Sequence, residues 1–89
     1  MFYTYVIRSK KKDSIYTGYT GNLRKRLIEH NRGENTSTKN GIPWEVIYYE
    51  ACINQQDALC REKYMKTTQG QRLIKRRLKE YFYLLRRIS

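Results

Sequence analysis

Residues 15–31 read IYTGYTGNLRKRLIEHN, and the rest of the chain is organised around them. Ile15-Tyr16-Thr17 is β-branched and aromatic and reads as a short strand. Gly18-Tyr19-Thr20-Gly21 reads as a turn, and a helix is predicted from about Asn22. Asn22 suits the N-cap, because its side-chain oxygen can accept from an orphan N–H of the first turn. Gly33 stands just past the last periodic residue, where helices commonly end in a left-handed residue. A strand running through a glycine-bearing turn into a helix gathers backbone N–H groups and the positive end of a helix dipole. That favours an anion, phosphate first, and makes Gly18 a candidate nucleic-acid contact. The strand offers Tyr16. The helix offers Arg26 and His30, which are i and i+4 and share a face.

Upstream, residues 2–8 (FYTYVIR) read as a strand with Tyr3, Tyr5 and Ile7 on one face and Phe2, Thr4 and Val6 on the other. The polar run 9–14 is a turn, so the first two strands form an antiparallel hairpin. In the helix that follows, with Leu23 set at zero, Leu27 falls at about 40°, His30 at about 340° and Arg26 at about 300°. The apolar stripe facing the sheet therefore contains His30 and carries Arg26 on its edge. Residues 33–43 (GENTSTKNGIP) are a polar loop, long for a small domain, which hints at function. Residues 44–50 (WEVIYYE) read as the third strand. Asn54 N-caps a helix over about 55–66, with Asp57 in its first turn. Thr68-Gln69-Gly70-Gln71 fits a capping box for a last helix over 68–88. There Ile74, Leu78, Tyr81, Leu85 and Ile88 make an amphipathic stripe, and Arg72, Lys75, Arg76, Arg77 and Lys79 cover other faces. The order β-β-α-β-α-α predicts an α+β fold: one domain over 1–89, with a small three-stranded antiparallel sheet flanked by helices.

Nineteen Lys and Arg against eight Asp and Glu give a formal charge of +11 on 89 residues. A chain this short excludes a cofactor domain joined to a substrate domain. The charge points to a polyanionic partner, nucleic acid before an anionic membrane. The opening MFYTYVIRS is too short and mixed for a signal peptide, and no apolar run could span a bilayer, so a cytoplasmic protein is expected. Cys52 and Cys60 have no neighbours at zinc-binding spacing and read as reduced thiols.

Glu62 is the most informative residue outside the opening stretch. With Ala58 at zero, Met65 falls at about 340° and Glu62 at about 40°, which predicts a carboxylate in the middle of the apolar face. Such a group needs a partner, either a metal ion or a cation in a structural salt bridge. Arg26 reads either as a solvated surface arginine or as a fork aimed at a phosphate. His30, Tyr5 and Tyr16 could each be packing residues. Tyrosine, arginine, histidine and glutamate converging on one anion site are harder to dismiss together.

On these residues the chain resembles the GIY-YIG endonuclease superfamily, and within it the small stand-alone members. The similarity covers about residues 2–66, and its specific part is YTGYTGNLRKRLIEHNRG. The family's two signature tyrosines correspond to Tyr5 and Tyr16, its arginine to Arg26, a common histidine to His30, and its metal-binding glutamate to Glu62 in ALCREKYMK. Tyr3-Thr4 stands where the family has Gly-Ile, Thr17 fills the middle of the second motif, and no asparagine follows Asn54. The resemblance implies metal-dependent hydrolysis of DNA phosphodiesters. Tyr16 or Tyr5 would help deprotonate water, Arg26 would stabilise phosphoryl charge, and Glu62 would hold Mg²⁺ or another divalent ion such as Mn²⁺. Nucleic-acid contacts are expected from Arg24, Lys25, Lys39, Lys66, Arg72 and Arg76. The alternative is a DNA- or RNA-binding module with weak or no catalysis.

Overall fold

The computed structural model describes residues 1–88. Strands β1 (Phe2–Ser9), β2 (Ile15–Thr20) and β3 (Trp44–Cys52) form one antiparallel sheet in the order β2-β1-β3. The predicted hairpin forms, with Tyr5 opposite Gly18 and Ile7 opposite Tyr16. Four helices accompany the sheet: α1 (Leu23–Asn31), α2 (Gln55–Met65), α3 (Thr68–Arg77) and α4 (Lys79–Ile88). Among the described residues no helix is long and apolar enough to cross a membrane.

Both faces of the sheet are covered, and the alternation in FYTYVIR feeds both layers. Tyr5 and Ile7 pack with Trp44 against Leu23 and Leu27 of α1. Val6 points the other way and packs with Met65 of α2 and Ile74 of α3. Two expected caps are in place. The Asn22 side-chain oxygen accepts from the Lys25 N–H at 3.1 Å. That of Asn54 accepts from Gln56 N–H at 2.8 Å and Asp57 N–H at 3.3 Å. Gly33 takes the left-handed conformation at φ 78°.

Four features depart from the sequence reading. First, β2 runs on to Thr20, so Gly18 lies buried inside the ladder and not in an exposed turn. Second, β3 carries a β-bulge. Val6 pairs with Tyr48 but Ile7 pairs with Val46, which leaves Ile47 as the extra residue. Ile47 and Tyr48 then both face α2 and α3, while Val46 and Tyr49 both face α1. Third, the cap of α3 is Thr67, whose hydroxyl accepts from Gly70 N–H at 3.1 Å; Thr68 is already helical. Fourth, the last helix divides at Leu78, whose φ of −107° and ψ of 30° leave the helical region. An unbroken helix over 68–88 would run straight for about 30 Å. The break keeps Leu78 packed on the Val6 cluster and lets Tyr81 donate to the Glu45 carboxylate on β3 at 2.6 Å.

That bond ties α4 to the sheet. Burial, then the Glu45 carboxylate, pushes the Tyr81 phenol up to about 12. Tyr81→Phe should lower stability by about 1–2 kcal/mol. The check is urea denaturation followed by circular dichroism.

The 33–43 loop is tied down at several points. Asn31 donates to the Trp44 carbonyl at 3.1 Å and accepts from the Trp44 N–H at 2.7 Å. Ser9 Oγ donates to the Gly41 carbonyl at 2.5 Å. The Trp44 indole donates to the Thr38 carbonyl at 2.8 Å. These bonds hold Thr38 buried beneath α1.

Candidate active site

The hairpin places Tyr5 and Tyr16 on the α1 face of the sheet, on adjacent strands. Tyr5 can lie flat over β2 only because its cross-strand partner is glycine. A Cβ at Gly18 would collide with the Tyr5 hydroxyl and ring. Gly18 therefore serves the tyrosine, and its backbone is engaged in the sheet.

Helix α1 lowers His30 onto the two tyrosines. The imidazole meets the Tyr5 ring at 5.8 Å and the Tyr16 ring at 5.4 Å, both edge-on. Its Nε2 lies 2.8 Å from the Tyr5 hydroxyl, and its Nδ1 lies 2.7 Å from the Thr38 hydroxyl. Tyr5 and His30 are almost fully buried, at 1% and 0% exposure. Burial, then the positive charge of Arg26, hold the His30 pKa below its ordinary value, so the ring is neutral near pH 7. Donor counting orients the chain of bonds. The Arg26 guanidinium lies beside the Tyr5 phenol oxygen and can only donate. Tyr5 O–H then donates to His30 Nε2, and His30 Nδ1–H donates to Thr38 Oγ1. Thr38 in turn leans toward the Asn35 carbonyl at 3.5 Å. Burial raises the Tyr5 pKa, with Arg26 opposing it.

His30 is the chain's only histidine, which makes a pH test specific. Its folded-state pKa is depressed, so the unfolded chain takes up the proton first. Stability should fall as pH drops below about 6.5. Thermal melts between pH 8 and 5 should show this slope, and His30→Gln should flatten it.

Arg26 stands on the edge of the α1 stripe, as read from the sequence. One terminal nitrogen reaches Glu29 Oε1 at 3.2 Å, a half-exposed i,i+3 pair. Its Nε is buried and has no hydrogen-bond partner among the described residues. Beside it an open cleft of about 540 Å³ is bounded by Arg26, Glu29, His30 and the loop at Glu34, Asn35 and Thr36.

Glu62 does not lie at the centre of the α2 apolar face. Ala58 and Met65 hold the centre, and Arg61 and Glu62 flank it. Arg61 turns to β3, where it makes a two-pronged pair with Glu50 at 3.0–3.1 Å. Glu62 lies on the opposite flank, with its side chain 20% exposed and Lys66 Nζ 3.2 Å from Oε2. Lys66, 51% exposed, also stands 5.7 Å from the centre of the Tyr16 ring. The edge position of β2 lets a side chain from the α2 layer reach a tyrosine on the α1 face. Tyr5, Tyr16, Arg26, His30 and the Glu62–Lys66 pair are thereby brought to one end of the sheet.

The other cations behave differently. Arg24, Lys25, Lys39, Arg72 and Arg76 are all exposed. Arg72 and Arg76 sit on α3 beneath the opposite face of the sheet, and Lys39 lies in the short turn Lys39–Gly41. Thr38, the residue that supports His30, carried no signal in the sequence beyond its place in a long polar loop.

Comparison with known proteins matches residues 1–77 to the GIY-YIG catalytic domain. A UPF0213 protein of Clostridium perfringens is 39% identical over 75 residues, covering 82% of this chain and 80% of that protein. One from Staphylococcus saprophyticus is 36% identical over 74 residues, covering 82% and 89%. One from Pediococcus pentosaceus is 41% identical over 66 residues, covering 73% and 68%. No solved structure gives a significant match.

Proposed function

The chain belongs to the GIY-YIG family, and from that premise we propose that it is a metal-dependent endonuclease. It hydrolyses DNA phosphodiester bonds, guided by strand structure more than by base sequence. One observation carries the reading: an arginine whose buried Nε has no hydrogen-bond partner among the described residues stands beside a hydrogen-bonded tyrosine–histidine pair at the mouth of a cleft. A phosphate oxygen is the partner that a planar guanidinium suits best.

The two tyrosines divide the work. Tyr5 is buried and donates a hydrogen bond to His30, so it fixes the histidine and stands against Arg26. Tyr16 is half-buried, rests against the edge of His30 and has the Lys66 ammonium over its ring. It is the tyrosine that water can reach, and its oxygen takes a proton from the attacking water as its own proton passes to solvent. The water oxygen bonds to phosphorus as the ester P–O bond breaks, and the leaving oxygen is protonated from solvent. Arg26 donates to the phosphoryl oxygens as their charge grows.

The metal would be held by Glu62. Among the described residues no group of three or more His, Cys, Asp or Glu side chains gathers to enclose an ion. A single carboxylate would hold Mg²⁺ or Mn²⁺ only as an ion that keeps most of its water, which is how Mg²⁺ commonly binds. Bound there, the ion would supply Lewis acidity to the phosphoryl and leaving oxygens. Lys66 must release the Glu62 carboxylate first, and its half-exposed side chain can swing into water. Lys66→Met should therefore lower the Mn²⁺ concentration needed for half-maximal binding by about two- to fivefold, since an exposed pair is worth up to ~1 kcal/mol. Isothermal titration with Mn²⁺ would measure it.

Cleavage assays on nicked, branched and single-stranded DNA, with Mg²⁺ or chelator, test the reading. Cutting with Mg²⁺ alone is expected. The absence of any asparagine after Asn54 favours the second reading, a nucleic-acid-binding module without catalysis. Salt-sensitive binding to every substrate, with no cutting in either buffer, would select it.

A further inference from the structure

The β-bulge in β3 has no part in the catalytic cluster, but it decides where Tyr49 points. Without the extra residue Ile47, strict alternation would put Val46 and Tyr49 on opposite faces. With it, both face α1. Tyr49 is thereby turned into a second cleft, of about 510 Å³, on the far side of α1 from Arg26. Tyr3 and Tyr49 form one wall, Leu23, Leu27 and Val46 the floor, and Arg24 stands at the rim. The two rings meet edge to face, 6.0 Å between centres and 61° between planes. Tyr49 is 55% exposed, so much of its ring remains open to solvent.

We propose that this cleft is a stacking site for an unpaired nucleobase, with Tyr49 as the platform and Arg24 against the adjoining phosphate. The inference rests on the nucleic-acid reading above and specifies it: the preferred substrates carry a single-stranded segment next to the cut. The volume lies within the ~300–1,000 Å³ range of sites that take small organic groups. Among the described residues no carboxylate lines the cleft and Arg24 alone brings a charge to it, a positive one, while the chain as a whole carries +11. An aromatic face beside a cation is how single strands are held without regard to sequence. A base inside a duplex keeps its faces stacked on its neighbours and cannot use the platform.

The test is fluorescence anisotropy in chelator with three labelled DNAs: a blunt duplex, the same duplex with a single-stranded flap, and that duplex with an abasic flap. The wild-type protein should bind the flapped DNA about tenfold more tightly than the blunt or abasic forms. Tyr49→Ala should remove that preference without changing blunt-duplex affinity, and Tyr49→Phe should keep it. Circular dichroism should show an unchanged melt, because the ring is exposed. A flap preference that survives in Tyr49→Ala, an abasic flap bound as well as the intact one, or equal loss on all three DNAs overturns the stacking site alone. A wild-type protein that binds none of the DNAs overturns the nucleic-acid reading with it. A dimer in sedimentation that Tyr49→Ala dissociates, with flap preference intact, assigns the cleft to a second copy of the chain.

Discussion

Arg26→Ala is expected to lower the rate of DNA cleavage by about 10²–10³-fold while the protein stays folded. The rate loss follows from where charge develops. The phosphoryl oxygens gain charge only as the reaction proceeds, so a preorganised donor acts mainly on the transition state and is worth ~3–4 kcal/mol there. The fold should survive because the Arg26–Glu29 pair is 38% and 27% exposed, and the Tyr5 hydroxyl that Arg26 stands beside keeps its bond to His30. Such pairs contribute well under 1 kcal/mol. Truncation also removes a buried nitrogen that has no partner among the described residues. Arg26→Lys should be nearly as inactive, since an ammonium does not reproduce the planar fork. Single-turnover cleavage and thermal melting are read together. A melting loss like that of a core truncation, with the rate of the folded protein unchanged, would make Arg26 structural.

Glu62→Gln should have the larger effect, abolishing metal-dependent cutting at nearly constant stability. The sequence left two partners open for this carboxylate, an ion or a buried cation, and the second predicted a cost of ~3–5 kcal/mol on neutralisation. The geometry removes that cost. Lys66 is half in water and loses little when its carboxylate becomes an amide. What Glu62→Gln loses is a carboxylate that acts on Tyr5 and stands beside Lys66 at the Tyr16 ring. The melting temperature in chelator should change little, and the rise on adding Mn²⁺ should disappear.

Much of this site is written locally in the chain, and that part was legible. The i, i+4 spacing of Arg26 and His30 fixes their common face whatever surrounds α1, and period-2 alternation does the same for Tyr5 and Ile7. Asn22 and Asn54 cap as read because an N-cap is decided within three residues. The features that were not legible depend on distant partners. The bulge at Ile47 appears only when β3 is set against β1, and without it the orientation of Tyr49 is read wrongly. The break at Leu78 depends on Tyr81 reaching Glu45, 36 residues away in sequence. Thr38 reaches His30 because Asn31, Ser9 and Trp44 pin the loop. Gly18 looked like an anion-binding turn residue, since a glycine that admits a neighbour's ring has the same local sequence.

The most direct test of the account is cleavage of one flapped duplex by wild-type protein and Glu62→Gln side by side, each with Mg²⁺ and with chelator. Both proteins should bind the DNA in chelator with similar affinity. Only the wild-type protein with Mg²⁺ should cut it. Cutting by both proteins, or by the wild type in chelator, would contradict hydrolysis organised around Glu62, and tight binding with no cutting under any condition would contradict catalysis itself.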